Sequence, residues 1–550
     1  MAYVLADNII SPLGNTSEEN YLSVKAGKSG IRAYAPGTLG IPEGFIASLL
    51  LADFEDLAYE SAHQALVSSG IDASQDKVVF ILSSTKGAVE KQVGLDESAK
   101  RIAARLGITT SPIVVCNACI SGLAALILAC RLIRQGEYEY AVVCGCDTPA
   151  QFVISGFQSL KALSTEPCRP FDMERFGLNL GEAAATMVLG KEKASWQIGE
   201  GFVKNDAFHI SAPSKTAEGL TQALEETLSS IDKETLAFVN AHGTATLFND
   251  QMESISISRT GLSEVPTNAL KGYFGHTLGA AGILETIISM KAVDDHVVLG
   301  TKGFEELGVS GKVDISENNR TTDKQSFVKM LSGFGGCNAT LLAKKDKRQS
   351  EEGTLLGELQ TGALYSKQHS VKITPHQVVV DGKEIEEIEG PSLLTALYKK
   401  YVSDYPKYYK MDSLSRLGFI ASELLLQEER KNGCEEEATR KRAVVLFNHS
   451  SSIASDRKYI ESIKDKDNYF PSPSVFVYTL PNIVTGEIAI RNGYHGETSF
   501  YILPDKDEKQ MECILQTTFQ DPQTESVIAG WVDYEDETCF EAEIYIFKKN

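Results

Sequence analysis

Three features of the 550-residue sequence predict an α/β fold in more than one domain. Short β-branched apolar runs alternate with helical stretches rich in Ala and Leu through residues 1–345, which is typical of buried strands joined by helices. The chain is also longer than one compact core usually allows. A charged run without a periodic apolar face, KKDKRQSEEG, follows at 344–353. We therefore expect a domain over 1–345, a linker over 346–360 and a second domain over 361–550.

Seven apolar runs read as buried strands, and one long apolar stretch reads as a helix. The helix is predicted over 120–136, where Ala and Leu dominate and Gly136 ends the pattern. The strand candidates in the first domain are 77–84, 111–118 and 139–146. Those in the second domain are 442–448, 474–480, 498–503 and 526–532. Together they predict layered α/β sheets in both domains.

Composition and charge narrow the class of protein. The net charge of −21 argues against nucleic acid as a partner and means that an acidic partner must meet a local basic patch. No apolar run approaches a bilayer span, and MAYVLADNIISPLG lacks the pattern of a signal peptide. The ten cysteines are scattered, and the Cys116–Cys119 pair has no second metal-ligand pair at motif spacing. We expect a cytoplasmic protein without a metal or a membrane segment.

The chain also resembles itself. VVCNAC leads into a helix and then AVVCGCD, and SFYILPD leads into a helical stretch and then VIAGWVD. The first unit has Cys119 at its strand-to-helix turn, whereas the second has Asp505 or a neighbour there. The matching size of the two units suggests a degenerate copy, although short apolar patterns also coincide by chance.

Cys119 lies where a predicted strand runs into a predicted helix. Unpaired N–H groups and the helix dipole at such a junction favour a thiolate. Small neighbours, Ala118, Ser121 and Gly122, allow a tight turn and the close approach of a substrate. Considered alone, however, Cys119 fits a packed cysteine beside Cys116 better than a nucleophile.

Two histidines strengthen the case for chemistry. His242 and His276 both lie in Gly-flanked turns, in AHGTAT and GHTLGA, where α/β sheets build sites. A cysteine and two histidines in such turns make up a nucleophile with polarising partners. The Gly-rich turn LSGFGGCNAT at 331–340 is a candidate source of one oxyanion-hole N–H, with the Cys119 amide as the other.

These segments resemble β-ketoacyl synthases. NACISG is similar to their nucleophile signature, HGTATLFNDQMES to their first histidine motif, LKGYFGHTLGAAGILE to their lysine–histidine motif and GFGGCNA to their closing loop. CRPFDMERFGLNLGEAAATMVLG and SPLGNTSEENYLSVKAGKSGI also fit, so the resemblance covers about 345 residues in order. It implies a thiolase-like five-layer αβαβα sandwich, followed here by a second, smaller thiolase-like half-domain. The two-histidine pattern resembles the elongating synthases and polyketide ketosynthase modules.

The resemblance implies a decarboxylative Claisen condensation without a cofactor. Cys119 would accept an acyl chain from an acyl carrier protein, and His242 and His276 would hold the thioester carbonyl of a malonyl extender. The amides of Cys119 and Phe334 would hold the oxyanion, and Phe334 would also gate the site. The product would be a 3-oxoacyl-acyl carrier protein of fatty-acid or polyketide type.

The resemblance assigns supporting roles to further residues. Lys271 and Glu285 would form a buried ion pair, and Asp250 and Glu253 would support the first histidine motif. Lys161 would face the acidic carrier protein, although a plain solvated lysine is an equal alternative.

One departure from the family pattern concerns the acyl tunnel and the subunit interface. The stretch from Ser84 to Ala118, which in relatives lines the acyl tunnel and contributes to the dimer contact, is short. Ser332 and Ala183 also differ from the common pattern. Residues 468–503 resemble that same stretch. We therefore expect a non-catalytic N-terminal ketosynthase half in 361–550 that restores the interface, giving a pseudo-dimeric monomer or, failing that, a homodimer. A spacer or separate binding module remains the alternative.

Two rival functions stay open at this point. The first is a non-catalytic carrier-protein-binding or chain-length-factor partner of another synthase, which the intact Cys119, His242, His276 and Lys271 disfavour. The second is thiolase chemistry, which is disfavoured because Cys337 does not match the second cysteine of thiolases.

Overall fold

A computed structural model describes residues 2–74, 77–346, 365–385, 392–431, 433 and 440–550. The linker predicted over 346–360 therefore lies outside the described residues except for Asp346. The described residues on either side of it form helices and strands.

The first region, 2–346, alternates strands and helices. Its strands are β1 (Ala2–Ile10), β2 (Arg32–Tyr34), β3 (Phe45–Ser48), β4 (Val78–Ser83), β5 (Ile113–Val115), β6 (Tyr140–Asp147), β7 (Leu180–Gly181), β8 (Ala183–Gly190), β9 (Trp196–Asn205), β10 (Leu236–Asn240), β11 (Pro266–Asn268), β12 (Val297–Val298), β13 (Asp314–Ile315), β14 (Arg320–Thr321), β15 (Ser326–Gly333) and β16 (Cys337–Lys345). Its helices are α1 (Ser17–Lys25), α2 (Phe54–Ser69), α3 (Leu95–Leu106), α4 (Ser121–Gln135), α5 (Gln151–Ser159), α6 (Glu218–Leu228), α7 (Leu247–Arg259), α8 (Lys271–Phe274) and α9 (Ala281–Asp294).

The second region, 365–550, has the same alternation. Its elements are β17 (Tyr365–Thr374), β18 (Gln377–Val380), β19 (Lys383–Glu384), α10 (Leu393–Tyr401), α11 (Ser413–Lys431), β20 (Ala443–Asn448), α12 (Ile453–Glu461), α13 (Pro473–Val477), α14 (Ile483–Asn492), β21 (Thr498–Ile502), α15 (Glu508–Thr518), β22 (Ser526–Asp536) and β23 (Cys539–Lys549).

Five layers make up the first region. One sheet has the strand order β5-β4-β6-β8-β1, with β4 parallel to β5 and β6, and β8 and β1 antiparallel to their neighbours. The other has the order β9-β16-β15-β10-β11-β13 and joins the first through β1 and β9. Helices α4 and α9 lie between the sheets, α2 and α3 cover one outer face, and α6 and α7 cover the other. This is the predicted αβαβα arrangement.

Helix α4 forms the centre of the core. Every residue from Ser121 to Ile133 is buried, and Gly136 ends the helix with φ 84°. Within the described residues, the segment Ala118–Gln135 is long and apolar enough to cross a bilayer by length and composition, although the sequence predicted none. Because 83% of it is buried inside the protein, its apolar character serves the core.

Six of the seven predicted strands are confirmed as β4, β5, β6, β20, β21 and β22, and the seventh is wrong. Residues 474–480 include helix α13 rather than a strand. Pro473 occupies the first turn, where its missing N–H costs nothing, and the Ser472 side chain accepts from the Val475 N–H. The β-branched composition was therefore overridden by the start signals of a helix.

The second region repeats the topology of the first sheet. Its strands run in the order β21-β20-β22-β23-β17, with β20 parallel to β21 and β22, and β23 and β17 antiparallel to their neighbours. This matches β5-β4-β6-β8-β1 strand for strand. Helix α15 connects β21 to β22 as α4 connects β5 to β6, so the predicted internal similarity has a structural counterpart.

The two regions share one continuous sheet. β5 and β21 pair antiparallel, with Val115 opposite Tyr501 and Val114 opposite Ile502, and α4 packs on α15. Because the edge of β5 is hydrogen-bonded in this way, it offers no free strand edge to another chain.

Buried ion pairs also cross this interface. They are Arg131–Glu497 at 2.7 Å, Lys204–Asp521 at 2.8 Å and Lys86–Asp456 at 2.6 Å. Burying a charge without its partner is costly. Each pair therefore favours the arrangement of the two regions in which its two charges meet.

Candidate active site

Cys119 lies in a tight turn between β5 and α4. A 3₁₀ turn, Ala118–Ile120, joins the two elements, and Ala118 has a positive φ of 48°. The Ser121 hydroxyl accepts from the Asn117 N–H at 2.8 Å and donates to the Ala118 carbonyl at 2.6 Å, which holds the turn closed. Cys119 remains partly exposed while Ala118 and Ile120 are buried. The turn therefore places Cys119 between the end of the strand and the start of the helix, as the sequence predicted.

The two histidines lie against the thiol. One ligand-type atom from each of Cys119, His242 and His276 falls within 4.8 Å of the others, and the imidazole rings meet edge to face with centroids 5.0 Å apart. His242 follows β10 and precedes Gly243 (φ 50°), while His276 follows Gly275 (φ 71°). The carboxyl end of β10 and the turn after α8 thus bring together the three residues that the sequence singled out.

A cavity of about 380 Å³ opens onto these three side chains. Phe334 lies on its wall, and Lys161 lies at an exposed position on its lining. Three further lining residues are large exposed apolar groups, Phe176, Leu247 and Phe248. The cavity can therefore admit a flexible substrate arm from the surface to the thiol.

The environment keeps both imidazoles neutral. Burial, together with the positive charges of Lys271 and Lys329, holds the pKa of His242 and of His276 well below the usual value. His276 Nδ1 accepts from the Leu278 N–H at 3.2 Å, so its proton is on Nε2. That Nε2 is buried and has no hydrogen-bond partner within the described residues. It is therefore free to donate to a substrate oxygen.

Two lysines and one glutamate form a buried cluster behind the histidines. Lys271 Nζ donates to Glu285 Oε1 at 2.8 Å and to the His242 carbonyl at 2.6 Å. Lys329 Nζ donates to the other Glu285 oxygen and to the Ala241 carbonyl at 3.1 Å. The Lys271–Glu285 pair was predicted, whereas Lys329 was not. Two cations on one carboxylate leave a net positive charge near the imidazoles, which opposes their protonation.

The predicted supporting carboxylates shape the turn at His242. Glu253 accepts from the backbone N–H groups of His242 at 2.6 Å and Gly243 at 2.8 Å, and Asp250 accepts from the Phe171 N–H at 2.8 Å. Burial raises the pKa of both carboxyls. They position the backbone of the turn, and none of the bonds described for them reaches the thiol or an imidazole ring.

Burial opposes the thiolate that the helix terminus favours. It raises the pKa of the Cys119 thiol to about 12, although the charge of Lys271 acts in the other direction. The resting thiol is therefore protonated at neutral pH. Of the two neutral imidazoles near it, His242 is the one that can receive the proton, because His276 Nδ1 already accepts from Leu278 and its Nε2 carries a proton.

The protonated resting state of the Cys119 thiol leads to a prediction about its alkylation. The rate of Cys119 modification by iodoacetamide should rise about tenfold per pH unit from pH 7 to 9 without a plateau, because the reactive thiolate stays a minor species. Intact-mass measurement of the full chain, with Cys119→Ala as the blank for other cysteines, follows the reaction. A plateau below pH 8 would contradict it and show that the helix terminus outweighs burial.

The buried cluster makes a prediction for stability. Glu285→Gln should lower the free energy of unfolding by about 3 kcal/mol or more, because two fully buried lysines lose their shared counter-charge. Denaturant unfolding measures the change. Glu264→Gln, which removes the exposed partner of Lys312, is the matched control and should leave stability unchanged. Equal stability of the Glu285 variant and wild type would contradict the account.

The closing turn brings Phe334 beside the nucleophile. A methyl group added at Gly333 would lie 3.2 Å from the Cys119 nitrogen, so the two backbone segments are in direct contact. The Phe334 ring stacks on Phe157, with centroids 6.2 Å apart. This placement agrees with the predicted oxyanion and gating roles, which remain predictions.

Two functional residues escaped sequence reasoning. Lys329 could have been found as a lysine inside the apolar strand FVKMLSG, where only a buried partner makes it tolerable. Asp147 closes AVVCGCD and accepts from the Gly279 N–H at 2.7 Å and the Ser84 hydroxyl at 2.8 Å, linking the ends of β4 and β6 to the start of the helix after His276. The sequence signal for Asp147 is that a polar residue directly follows a buried strand.

Sulfur and imidazole groups at this spacing could also hold a thiophilic metal ion. Such an ion would occupy the Cys119 sulfur and prevent it from acting as a nucleophile. The sequence predicts that no metal is required, and this stays a prediction.

Comparison with known proteins agrees with this geometry. Residues 49–195 match the N-terminal domain of β-ketoacyl synthases and residues 198–305 match their C-terminal domain. The chain is 28% identical over 399 residues to 3-oxoacyl-[acyl-carrier-protein] synthase 2 of Coxiella burnetii, covering 61% of this chain and 96% of that one. It is 32% identical over 256 residues to the synthase of the same name from Rhizobium meliloti, covering 42% and 60%.

Solved structures extend the likeness to the second region. A β-ketoacyl synthase from Burkholderia phymatum superposes with a TM-score of 0.57 at 23% identity, over 63% of this chain and 99% of that one. The PfaC ketosynthase–chain length factor superposes with a TM-score of 0.78 at 14% identity, over 100% of this chain and 78% of that one. The chain has the thiolase-like ketosynthase fold, and its residues 49–305 correspond in order to the N- and C-terminal domains of β-ketoacyl synthases.

Proposed function

We propose that the chain is a 3-oxoacyl-[acyl carrier protein] synthase. The observation that carries the proposal is the convergence of a nucleophile, Cys119, with two neutral imidazoles, His242 and His276, at the floor of a surface cavity. A thiol can hold an acyl group, and neutral N–H donors stabilise an enolate oxygen without first losing a proton to it.

In the first half-reaction, the Cys119 sulfur attacks the carbonyl of an acyl thioester. The oxyanion receives hydrogen bonds from the backbone amides of Cys119 and Phe334, and the carrier thiol leaves with the proton that Cys119 gave up. The product is an acyl-cysteine.

In the second half-reaction, a malonyl thioester places its carbonyl oxygen between His242 and His276. The bond to the carboxylate breaks, carbon dioxide leaves, and the electron pair forms an enolate held by the two imidazole N–H groups. The enolate carbon attacks the acyl-cysteine carbonyl. The carbon–sulfur bond then breaks, Cys119 leaves as a thiolate that takes up a proton from solvent, and the 3-oxoacyl product is released on its carrier.

Acyl carrier protein is the proposed carrier of both substrates. The curated relatives have this carrier in their name, and one structural neighbour is a type II polyketide ketosynthase in complex with its acyl-carrier protein. Lys161 is exposed at the mouth of the cavity and would meet an acidic carrier surface. Two half-reactions test the proposal: acylation of Cys119 by acyl carrier protein, seen by intact mass, and release of carbon dioxide from malonyl carrier protein. Absence of both from the folded protein would refute it.

We propose further that residues 361–550 are a non-catalytic copy of the N-terminal ketosynthase half. Three observations support this: the repeated five-strand order, the antiparallel β5–β21 contact, and the whole-chain likeness to a ketosynthase–chain length factor. The strand-to-helix turn after β21, which includes Asp505, contains no cysteine. The second region would therefore act as a fused chain-length factor.

This arrangement should leave the protein monomeric. Since β21 already occupies the edge of β5, the usual pairing with a second copy has no free strand edge to use. Sedimentation equilibrium of the full chain should give the mass of one chain. A stable dimer would indicate another interface and contradict the pseudo-dimer.

A non-catalytic partner of another synthase is the alternative function. The full-length likeness to a chain-length-factor fusion favours a partner role for the second region only. The first region keeps the complete reacting trio, so we assign catalysis to it.

A further inference from the structure

A buried asparagine of the second region holds the loop that closes the active site. Asn482 is 2% exposed, and its Nδ2 donates to the Phe334 carbonyl at 2.8 Å. The same nitrogen lies 3.8 Å from Cys337 Sγ. A side chain outside the catalytic region therefore contacts the loop that meets Cys119.

Capping of helix α14 does not explain why an asparagine occupies position 482. Asn482 occupies the N-cap position of α14, where asparagine usually accepts a hydrogen bond from its own helix. Here the side chain makes no capping bond, and its Oδ1 is buried without a partner among the described residues. The amide is thus turned away from its local role and toward Phe334.

The contact fixes one peptide of the loop. In a planar trans peptide the C=O and the following N–H point in opposite directions. Asn482 holds the Phe334 carbonyl on one side, and the Gly335 N–H donates to the Ile210 carbonyl on the other at 2.7 Å. Asn205 Nδ2 donates to the Gly335 carbonyl at 2.8 Å. A rotation of the Phe334–Gly335 peptide would break its hydrogen bond to Asn482 in the second region and its hydrogen bond to Ile210 in the first region.

The helix behind Asn482 fits the loop closely. A methyl group added at Gly486 would lie 2.6 Å from the Gly335 carbonyl oxygen, so α14 approaches the loop backbone directly. Gly335 itself has φ +91°, and a methyl group there would lie 2.7 Å from Asn482 Nδ2. Both glycines leave the room that the asparagine bond requires.

We propose that Asn482 is a positioning residue. By fixing the Phe334–Gly335 peptide it restrains the backbone at Phe334 and so keeps the N–H of the preceding Gly333–Phe334 peptide directed at the acyl oxyanion beside Cys119. The inference rests on the proposed condensing activity. It makes the second region part of the working site, because the site's oxyanion loop is incompletely held without it.

The test uses the full chain with Asn482→Ala and Asn482→Asp. Loss of the bond should lower kcat for condensation about tenfold or more, with a smaller effect on KM for the malonyl substrate. Asn492→Ala, at the far end of α14, is the matched control and should behave as wild type. Amide hydrogen exchange of residues 333–336 should be about five- to tenfold faster in both Asn482 variants.

The pH profile separates positioning from simple packing. A protonated carboxyl can donate to the Phe334 oxygen, whereas a carboxylate repels it. The activity of Asn482→Asp, relative to wild type at each pH, should therefore recover as pH falls from 9 to 6, while that of Asn482→Ala should stay low. Burial raises the pKa of the neighbouring Cys337 thiol, so this thiol does not titrate in the range.

Wild-type kcat and unchanged loop exchange in both Asn482 variants would overturn the inference. A wild-type chain that does not condense at all would refute the proposed function instead. In that event the exchange of residues 333–336 still decides whether Asn482 holds the loop.

Discussion

Cys119→Ala is expected to abolish acyl-enzyme formation and to lower condensation by at least about 10³-fold. The sulfur is the group in the cavity that can carry the acyl chain between the two half-reactions, and alanine leaves the turn between β5 and α4 intact. Intact-mass measurement after incubation with acyl carrier protein should detect no adduct. Decarboxylation of the malonyl substrate should persist, because His242 and His276 remain in place.

The control for this variant is Cys539→Ser, which changes an exposed cysteine of the second region. It should acylate and condense as wild type. A Cys119→Ala protein that still gains the acyl mass would show that another residue is the nucleophile. Loss of decarboxylation together with acylation would indicate a collapsed site rather than a missing sulfur.

His276→Ala is expected to reduce decarboxylation by about 10²- to 10³-fold. The Leu278 N–H occupies Nδ1 of this ring, so Nε2–H is left to donate to the oxygen on which charge develops. Removing it takes away one of two enolate donors in a buried site. The rate of carbon dioxide release measures the loss directly.

Acylation of Cys119 provides the internal control for His276→Ala. Since the acyl oxyanion is assigned to backbone amides, adduct formation should continue in this variant. Equal loss of acylation and decarboxylation would contradict the division of labour between amides and imidazoles. Unchanged decarboxylation would remove His276 from the mechanism.

The local patterns that predicted the site were those in which one sequence segment determines the geometry. A buried strand followed by small residues and an apolar helix suffices to place Cys119 in a turn. Glycines beside His242 and His276 place both rings at strand or helix ends. Because these constraints act within about ten residues, the sequence displays them.

The remaining features depend on contacts between distant segments. Lys329 is an isolated lysine in an apolar strand until Glu285 is brought to it. Asn482 resembles a helix cap until the closing loop lies against it. Residues 474–480 have the composition of a strand, but Pro473 and Ser472 start a helix whose Phe476 packs on Phe157 of the first region, with centroids 5.6 Å apart. No local periodicity encodes such partners.

The most direct test of the account is condensation by the intact chain. The protein, an acyl carrier protein loaded with a short acyl group and a malonyl-loaded carrier protein would be incubated together, and the carrier species resolved by intact mass. The account predicts a 3-oxoacyl carrier product that forms with wild type and is absent with Cys119→Ala. A folded wild-type chain that neither acylates nor yields this product with any acyl donor would contradict it and assign the chain to a non-catalytic role.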